Sequence, residues 1–288
     1  MYLVKWRLFN NCNFRCSYCI QGIDKTYEEI NVNRLHNFSK KINKLTEKNN
    51  DIVKLNLLGG EITLIPINEF LIMLDELLNP LIQGLTIISN FSAPLDWYKK
   101  TARLCEKKNV KFSLNLSFHE EFFDYDKFIS KAISLKNDVR RMCIEFVCTH
   151  GNLEIRDRLL KDCKEAGIRC AIDYDRHQNW SKEEVIESER SFCIATIKTA
   201  GCICSNSYTI LNILPDGKMY GVNCPQKKFV GTLNLSDSIK KETMICEQPK
   251  CSFCGFLKIT TKDGAVIYDN TNKEKKIKSQ TEGIKGIK

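Results

Sequence analysis

The chain has 288 residues, a mass of 33.3 kDa and an ordinary globular composition, with 43% apolar and 27% charged residues. These values exclude collagen-like, coiled-coil and wholly disordered proteins. No window approaches the roughly 18 to 20 uninterrupted apolar residues of a membrane span, and the apolar start of the chain carries Lys5 and Arg7. The sequence therefore predicts a folded, cytoplasmic protein with no membrane partner.

The net charge of +9 is concentrated at the C-terminal end of the chain. Residues 271–288 hold six Lys against two Glu, a net charge of +4, which leaves +5 for the rest. A nucleic-acid-binding surface would instead show basic groups interleaved with aromatic ones in the folded part. We therefore expect a flexible basic tail over 261–288 and no nucleic-acid partner.

Apolar, β-rich runs alternate with helical patterns along the first two thirds of the chain. The predicted strands are Tyr2–Phe9, Ile52–Leu58, Leu85–Ser89, Val110–Phe118, Val139–Cys148 and Ile168–Tyr174. Apolar residues recur at helical spacing over 35–45, 70–78, 95–105, 128–135 and 155–166. Gly167 suits a helix C-terminus, and Ser181 with Glu184 forms a capping box for a sixth helix. The alternation predicts an α/β fold, a partial (βα)6 TIM-type barrel over 1–190.

The pattern changes around Ser191. Tyr208–Leu214, the turn Pro215-Asp216-Gly217 and Lys218–Val222 predict a β-hairpin with cysteines at both ends. A short helical pattern runs from Ser236 to about Met244. We therefore predict a small, cysteine-rich, hairpin-containing module over 191–260.

Fifteen cysteines are too many for an ordinary cytoplasmic protein, in which disulfides are disfavoured. Cys12, Cys16 and Cys19 follow the first predicted strand, at the end of the barrel where loops build active sites. Their soft thiolates select an iron–sulfur cluster or zinc. Three cysteines on a 4Fe-4S cluster leave one iron open for a small-molecule ligand. Zinc is the alternative, but it needs a fourth ligand, and the next histidine, His36, lies in a predicted helix.

The string Cys12-x3-Cys16-x2-Cys19, with Tyr18 before the last cysteine, resembles the signature of the radical S-adenosylmethionine (AdoMet) superfamily. The end of strand two, Gly59-Gly60-Glu61, looks like the glycine-glycine-glutamate motif of that family. The resemblance implies that the open iron chelates the methionine part of AdoMet and that this motif contacts the amino group. Two glycines allow close approach of a ligand, and a carboxylate accepts a hydrogen bond from an ammonium. A tight β–α turn would also favour glycines.

Polar residues at the ends of strands three and four, Ser89, Asn90 and Ser117, are similar in position to residues that bind the ribose and carboxylate of AdoMet in the family. Helix caps or turns are the alternative. Tyr18 is placed to touch the adenine. His119 is expected to face the substrate as a proton donor or acceptor, with a loop histidine as the alternative.

Seven cysteines crowd into residues 193–254. Their arrangement around the hairpin, with Cys246-x4-Cys251-x2-Cys254, resembles the SPASM or twitch extension of radical AdoMet enzymes, which carries an auxiliary 4Fe-4S cluster. Six residues separate Gly217 from Cys224 where the family usually has four, and no cysteine follows Cys254, so one auxiliary cluster is expected. The implied ligands are Cys204 or Cys202, Cys224, Cys251 and Cys254, with Cys246 as a competitor. A zinc-ribbon-like site is the alternative. The remaining cysteines are expected to be buried small hydrophobes: Cys105, Cys143, Cys148, Cys163 and Cys170.

The resemblance implies reductive cleavage of AdoMet to a 5′-deoxyadenosyl radical that abstracts hydrogen from a substrate, with an external electron donor such as flavodoxin or ferredoxin. Because the first strand begins at residue 2, we expect no leader-peptide domain before it, which favours oxidation, epimerisation or bond formation on a small molecule such as a sugar derivative. Modification of a ribosomally made peptide or protein is the alternative. A non-catalytic iron–sulfur or zinc regulatory protein is the alternative from another class, and the motif Gly59-Gly60-Glu61 speaks against it, since a sensor needs no ammonium pocket.

Overall fold

The computed structural model describes most of the barrel region and short segments beyond it: 2–19, 29–50, 52–175, 178–181, 197–198, 202–204, 210–221, 229–233, 244–247, 250–251, 258–260, 262–263 and 266–269. Strands and helices alternate through the barrel region: β1 (Tyr2–Arg7), α1 (Val32–Asn49), β2 (Val53–Leu58), α2 (Ile67–Leu77), β3 (Ile82–Ser89), α3 (Leu95–Lys107), β4 (Lys111–Phe118), α4 (Tyr125–Leu135), β5 (Arg141–Cys148), α5 (Leu153–Ala166) and β6 (Arg169–Tyr174). Short 3-10 helices cover Ile62–Leu64, Lys136–Asp138 and His150–Asn152. Glu184 of the predicted sixth helix lies outside the described residues.

Strands β1 to β6 pair in parallel and in sequential order. A helix connects each strand to the next, which is the connection that parallel neighbours require. The predicted fold class, a partial TIM-type barrel, is confirmed.

The two faces of the sheet differ in burial. Along β4, Leu114, Leu116 and Phe118 are buried, whereas the alternate residues Asn115 and Ser117 are partly exposed. The period of two puts the first set against the covering helices and the second on the opposite face of the barrel sheet. This burial pattern corrects two cysteine predictions. Cys105, Cys148 and Cys163 are buried, but Cys143 and Cys170 are partly exposed, Cys143 because it lies on the opposite face of β5.

The predicted hairpin is present as β9 (Ile210–Ile213) and β10 (Lys218–Gly221). Gly217 adopts a φ of 82° at its turn, a conformation that glycine adopts without strain. Strand β9 pairs in parallel with β1, and β11 (Phe229–Thr232) pairs with β10, so the described sheet has nine strands in the order β11-β10-β9-β1-β2-β3-β4-β5-β6. The hairpin therefore extends the barrel sheet. The domain boundary at 190/191 stays a prediction.

The remaining described strands are β7 (Ile197–Lys198), β8 (Ile203–Cys204), β12 (Met244–Ile245), β13 (Lys250–Cys251), β14 (Lys258–Thr260) and β15 (Val266–Asp269). They form two small sheets, one in the order β12-β8-β14-β15 and one from β13 and β7. Met244 belongs to β12, so the helix predicted to reach it is wrong there, while 236–243 lie outside the described residues, as does the tail over 270–288. Within the described part of the chain, no helix is both long and apolar enough to cross a bilayer.

Candidate metal centre

The segment after β1 is attached to the end of β2 by backbone hydrogen bonds. The amide of Gly60 donates to Phe9 O at 2.9 Å, and the amide of Glu61 donates to Asn11 O at 2.7 Å. A Cβ on Gly60 would lie 1.9 Å from Asn11 O, and one on Gly59 would lie 2.8 Å from Phe9 O. The two glycines, predicted to admit a ligand, therefore admit the backbone of the segment that carries the cysteines.

Cys12, Cys16 and Cys19 form what we call the cysteine loop, residues 10–19. Cys12 is buried, and the other two are partly exposed. The amide of Phe14 donates to Cys12 Sγ at 3.4 Å, and the amide of Cys19 donates to Cys16 O at 3.2 Å, which closes a turn. Burial raises the pKa of the Cys16 thiol to about 12, and the neighbouring thiols of Cys12 and Cys19 add to that rise.

The donor set of the cysteine loop fits an iron–sulfur cluster. Three soft sulfur ligands lie close enough for their charges to repel, and bound iron would offset that repulsion when the thiols ionise. In the residues described by the structure, no three His, Cys, Asp or Glu side chains are arranged around a single-ion site. In a cubane cluster, by contrast, each cysteine binds a separate iron.

Glu61 is fully buried and connects the ends of β2 and β3. Its Oε1 accepts hydrogen bonds from Thr63 N at 3.0 Å, Thr63 Oγ1 at 2.7 Å and Ser89 Oγ at 2.8 Å, and its Oε2 accepts from Asn90 N at 2.6 Å. Burial raises the pKa of Glu61, and the donors from Thr63, Asn90 and Ser89 oppose that rise. The carboxylate predicted to bind an ammonium is thus already bound by four protein donors.

Asn90 holds the loop after β3 against the cysteine loop. Its Nδ2 donates to Asn13 Oδ1 at 2.9 Å and lies 3.8 Å from Cys12 Sγ. Asn13 Nδ2 in turn donates to Ser92 Oγ at 3.0 Å. The predicted residues Ser89 and Asn90 are therefore brought to the cysteines and to Glu61.

The loop after β3 is also held by Lys131 of α4, which was not predicted from the sequence. Its Nζ donates to the carbonyls of Phe91 and Ala93, both at 2.6 Å, and lies 4.2 Å from the centre of the Phe91 ring. Phe91 is buried with a φ of 64°, a strained conformation for a bulky residue. Burial lowers the pKa of Lys131 to about 8, and the charge of Glu61 opposes that shift. The feature of the sequence that could have identified Lys131 is its position beside the apolar stripe of α4.

His119, directly after β4, lies against the cysteine loop. Its Nδ1 is 3.3 Å from Cys16 Sγ and 3.1 Å from Tyr18 Oη. Burial lowers the pKa of His119 to about 4, with Glu121 opposing the shift. Glu121 accepts a hydrogen bond from Ser17 N at 3.1 Å and a further one from Ser17 Oγ. The structure therefore brings the predicted residues His119 and Tyr18 together beside Cys16.

Ser117 lies on the partly exposed face of β4, in register with Glu145 of β5. Glu145 Oε1 accepts a hydrogen bond from Asn115 Nδ2 at 2.6 Å. Burial raises the pKa of the Glu145 carboxyl, and the charge of Asp173 adds to the rise. Glu145 was not singled out from the sequence, although a carboxylate is unusual inside a β-rich run and could have identified it.

The described C-terminal cysteines meet through backbone pairing. Cys246 N donates to Cys202 O at 2.8 Å, and Met244 pairs with Cys204. Cys202 is buried and Cys246 partly exposed. Of the predicted auxiliary ligands, Cys204 and Cys251 lie in strands β8 and β13, whereas Cys224 and Cys254 lie outside the described residues, as does Cys193.

The fold recurs in solved structures. The protein anSMEcpe with bound AdoMet has a TM-score of 0.57 and 15% identity, covering 82% of this chain and 78% of that one. Streptococcus suis SuiB bound to its precursor peptide SuiA has a TM-score of 0.50 and 16% identity, covering 79% of this chain and 62% of SuiB. Coproporphyrinogen III oxidase (HemN) from Escherichia coli, a radical SAM enzyme, matches at 0.42 and 14%, covering 65% of this chain and 48% of HemN.

At identities this low, the structural similarity to anSMEcpe and SuiB shows the fold alone. The chain shares the partial barrel of anSMEcpe and SuiB. No protein-family model matches the sequence, and no curated protein matches it.

Proposed function

We propose that this protein is a radical AdoMet enzyme, with a 4Fe-4S cluster held by Cys12, Cys16 and Cys19 and AdoMet bound beside it. The observation that carries the proposal is the cysteine loop itself. It lies at the carboxyl end of β1 and is fastened by Gly60 and Asn90 to the same ends of β2 and β3. Active sites of such barrels are built at this edge.

When bound, the cluster supplies the electron that cleaves AdoMet into methionine and a 5′-deoxyadenosyl radical, which then abstracts hydrogen from the substrate. The protein supports this chemistry by excluding water and fixing the loop. Burial of Cys12 and the four hydrogen bonds to Glu61 serve those two tasks. The neighbour anSMEcpe binds AdoMet on the same fold.

An external donor, a flavodoxin or ferredoxin, would deliver the electron at the cysteine loop. Arg15 and Ser17 are exposed there, next to the partly exposed Cys16, so a docked protein would come close to the cluster. Electron delivery needs that proximity, and the exposed arginine suits an acidic donor surface.

For the substrate, we propose a small molecule such as a sugar derivative. Asn115, Ser117 and Glu145 support this, because they line one face of the barrel sheet with hydrogen-bonding groups that suit hydroxyl-rich or amine-bearing compounds. A peptide substrate is the second candidate, favoured by the likeness to SuiB, whose structure holds a precursor peptide.

We also propose one auxiliary cluster in the C-terminal region. The backbone bond between Cys246 and Cys202 supports including both as candidate ligands beside Cys204, Cys224, Cys251 and Cys254. Replacing Cys251 and Cys254 together should lower the iron content of the reconstituted protein by about half, because one of two four-iron clusters would be lost.

The experiment for the main proposal uses anaerobically purified, cluster-reconstituted protein incubated with dithionite and AdoMet. Iron content and 5′-deoxyadenosine are quantified for the wild type, Cys16→Ala and Cys105→Ala. We expect 5′-deoxyadenosine from the wild type and from Cys105→Ala, because Cys105 is buried in α3 away from the loop, and none above background from Cys16→Ala. Bound zinc without iron, or 5′-deoxyadenosine that does not depend on Cys16, would contradict the proposal.

A further inference from the structure

The imidazole of His119 is held in one orientation beside Cys16. Its ring stacks on Tyr18 with centroids 5.9 Å apart and an interplanar angle of 22°, and it meets the edge of Phe14 at 88°. The amides of Phe122 and Phe123 both donate to His119 O at 3.0 Å, which fixes the backbone as well. Nδ1 therefore remains directed at Cys16 Sγ and Tyr18 Oη.

The donor and acceptor roles at this contact depend on the state of Cys16. A free thiol has a hydrogen and can donate to a bare Nδ1. An iron-bound thiolate has no hydrogen, so its sulfur can only accept. At 3.3 Å a bare Nδ1 would set its lone pair against the lone pairs of that sulfur. The tautomer with hydrogen on Nδ1 removes this conflict, and toward that N–H the hydroxyl of Tyr18 acts as an acceptor.

We propose that His119 donates a hydrogen bond from Nδ1 to the iron-bound Sγ of Cys16 and thereby raises the reduction potential of the cluster. The inference rests on the proposed function, since it needs a cluster on Cys16. A hydrogen bond to a ligating sulfur draws charge from it and stabilises the reduced, more negative cluster more than the oxidised one. His119 is then a positioning residue that tunes the cluster, in place of the proton donor facing substrate that the sequence suggested.

The test is an EPR-monitored redox titration of the reconstituted cluster without substrate, in the wild type and two variants. His119→Phe keeps the ring that packs on Tyr18 and Phe14 but has no N–H, whereas His119→Gln keeps an amide donor. We expect His119→Phe to make one-electron reduction about tenfold less favourable, which is about 59 mV more negative. His119→Gln should recover part of that loss, and Ser134→Ala, on the exposed face of α4, should leave the potential unchanged.

A second measurement is made first on the wild-type protein. In wild-type protein labelled with ¹⁵N-histidine, pulsed EPR of the reduced cluster should detect one weakly coupled histidine nitrogen. That coupling should disappear in His119→Gln. An unchanged potential in His119→Phe at equal iron content, or no histidine coupling in the wild type, would overturn the inference while AdoMet cleavage still stands. A wild type that binds no cluster would instead overturn the proposed function.

Discussion

Replacing Gly60 by Ala tests whether the cysteine loop is built on the end of β2. The added Cβ would lie 1.9 Å from Asn11 O, 2.3 Å from Asn11 C and 2.4 Å from Asn10 O. These are backbone atoms, so no side-chain rotation relieves the contact. Restoring the 3.4 Å of an ordinary contact requires a shift of 3.4 − 1.9 = 1.5 Å. That shift breaks the backbone hydrogen bonds of 2.9 and 2.7 Å that join the segment to Gly60 and Glu61.

The expected loss in the free energy of unfolding follows from these two contributions. Two hydrogen bonds at about 1 kcal/mol each and an overpacking cost of about 1 to 3 kcal/mol give a loss of about 3 to 5 kcal/mol. Urea denaturation of the apoprotein, followed by circular dichroism, measures the loss as a lower midpoint. Iron retention after reconstitution should fall with it, because the displaced segment carries Cys12.

Gly151→Ala is the matched control for Gly60→Ala. A Cβ there meets only Thr149 Oγ1, at 3.8 Å, which is an ordinary contact. We expect its free energy of unfolding to stay within about 0.5 kcal/mol of the wild type. If Gly60→Ala proved as stable as Gly151→Ala and retained its iron, the close approach of the two backbones would not be what fixes the cysteine loop.

Three further predictions address the supports of the site and the hairpin. Glu61→Gln should lower the free energy of unfolding by about 2 to 4 kcal/mol in urea titrations, because an amide nitrogen would face buried donors. Glu69→Gln, at a half-exposed side chain paired with His36, should change it by no more than about 0.5 kcal/mol. Burial lowers the pKa of Lys131 from 10.5 to about 8. Between these two pH values the unfolded chain therefore binds more protons than the folded protein, and the free energy of unfolding rises with pH. Lys131→Met should flatten that rise in urea titrations at several pH values. Gly217→Ala should lower the free energy of unfolding by about 1 to 3 kcal/mol, because its φ of 82° disfavours a side chain and the new Cβ would lie 2.8 Å from Phe38 Cζ. Adding Phe38→Leu should remove only the steric part of that loss, which a double-mutant cycle measures.

The alternation of strands and helices could be predicted because each element carries its own period of apolar residues. The position of Cys12 after β1 followed from the same pattern. The partner of the hairpin could not be predicted in this way. Pairing of Leu3 with Ile210 joins segments about 200 residues apart, and nothing in the local pattern of β9 identifies which sheet edge it will cover.

The sequence also identified Gly60 and Glu61 but not what surrounds them. A glycine indicates that something approaches closely, but it does not distinguish a ligand from a backbone segment. Lys131 was missed for a related reason. Its acceptors are carbonyl groups 38 and 40 residues earlier in the chain, in the loop where Phe91 adopts a positive φ, and no local pattern brings such distant groups together.

The contacts of the cysteine loop with β2, β3 and β4 involve no metal. Asn11 is held by Glu61, Asn13 by Asn90 and Ser92, and Ser17 by Glu121. Ordering a backbone segment costs about 1 to 2 kcal/mol per residue, and these contacts between protein groups offset part of that cost. Zinc fingers are the opposite case, since metal binding itself folds them. Chelation of the cluster should therefore leave the barrel folded, whereas a change at Gly60 or Glu61 should weaken the fold and the metal site together.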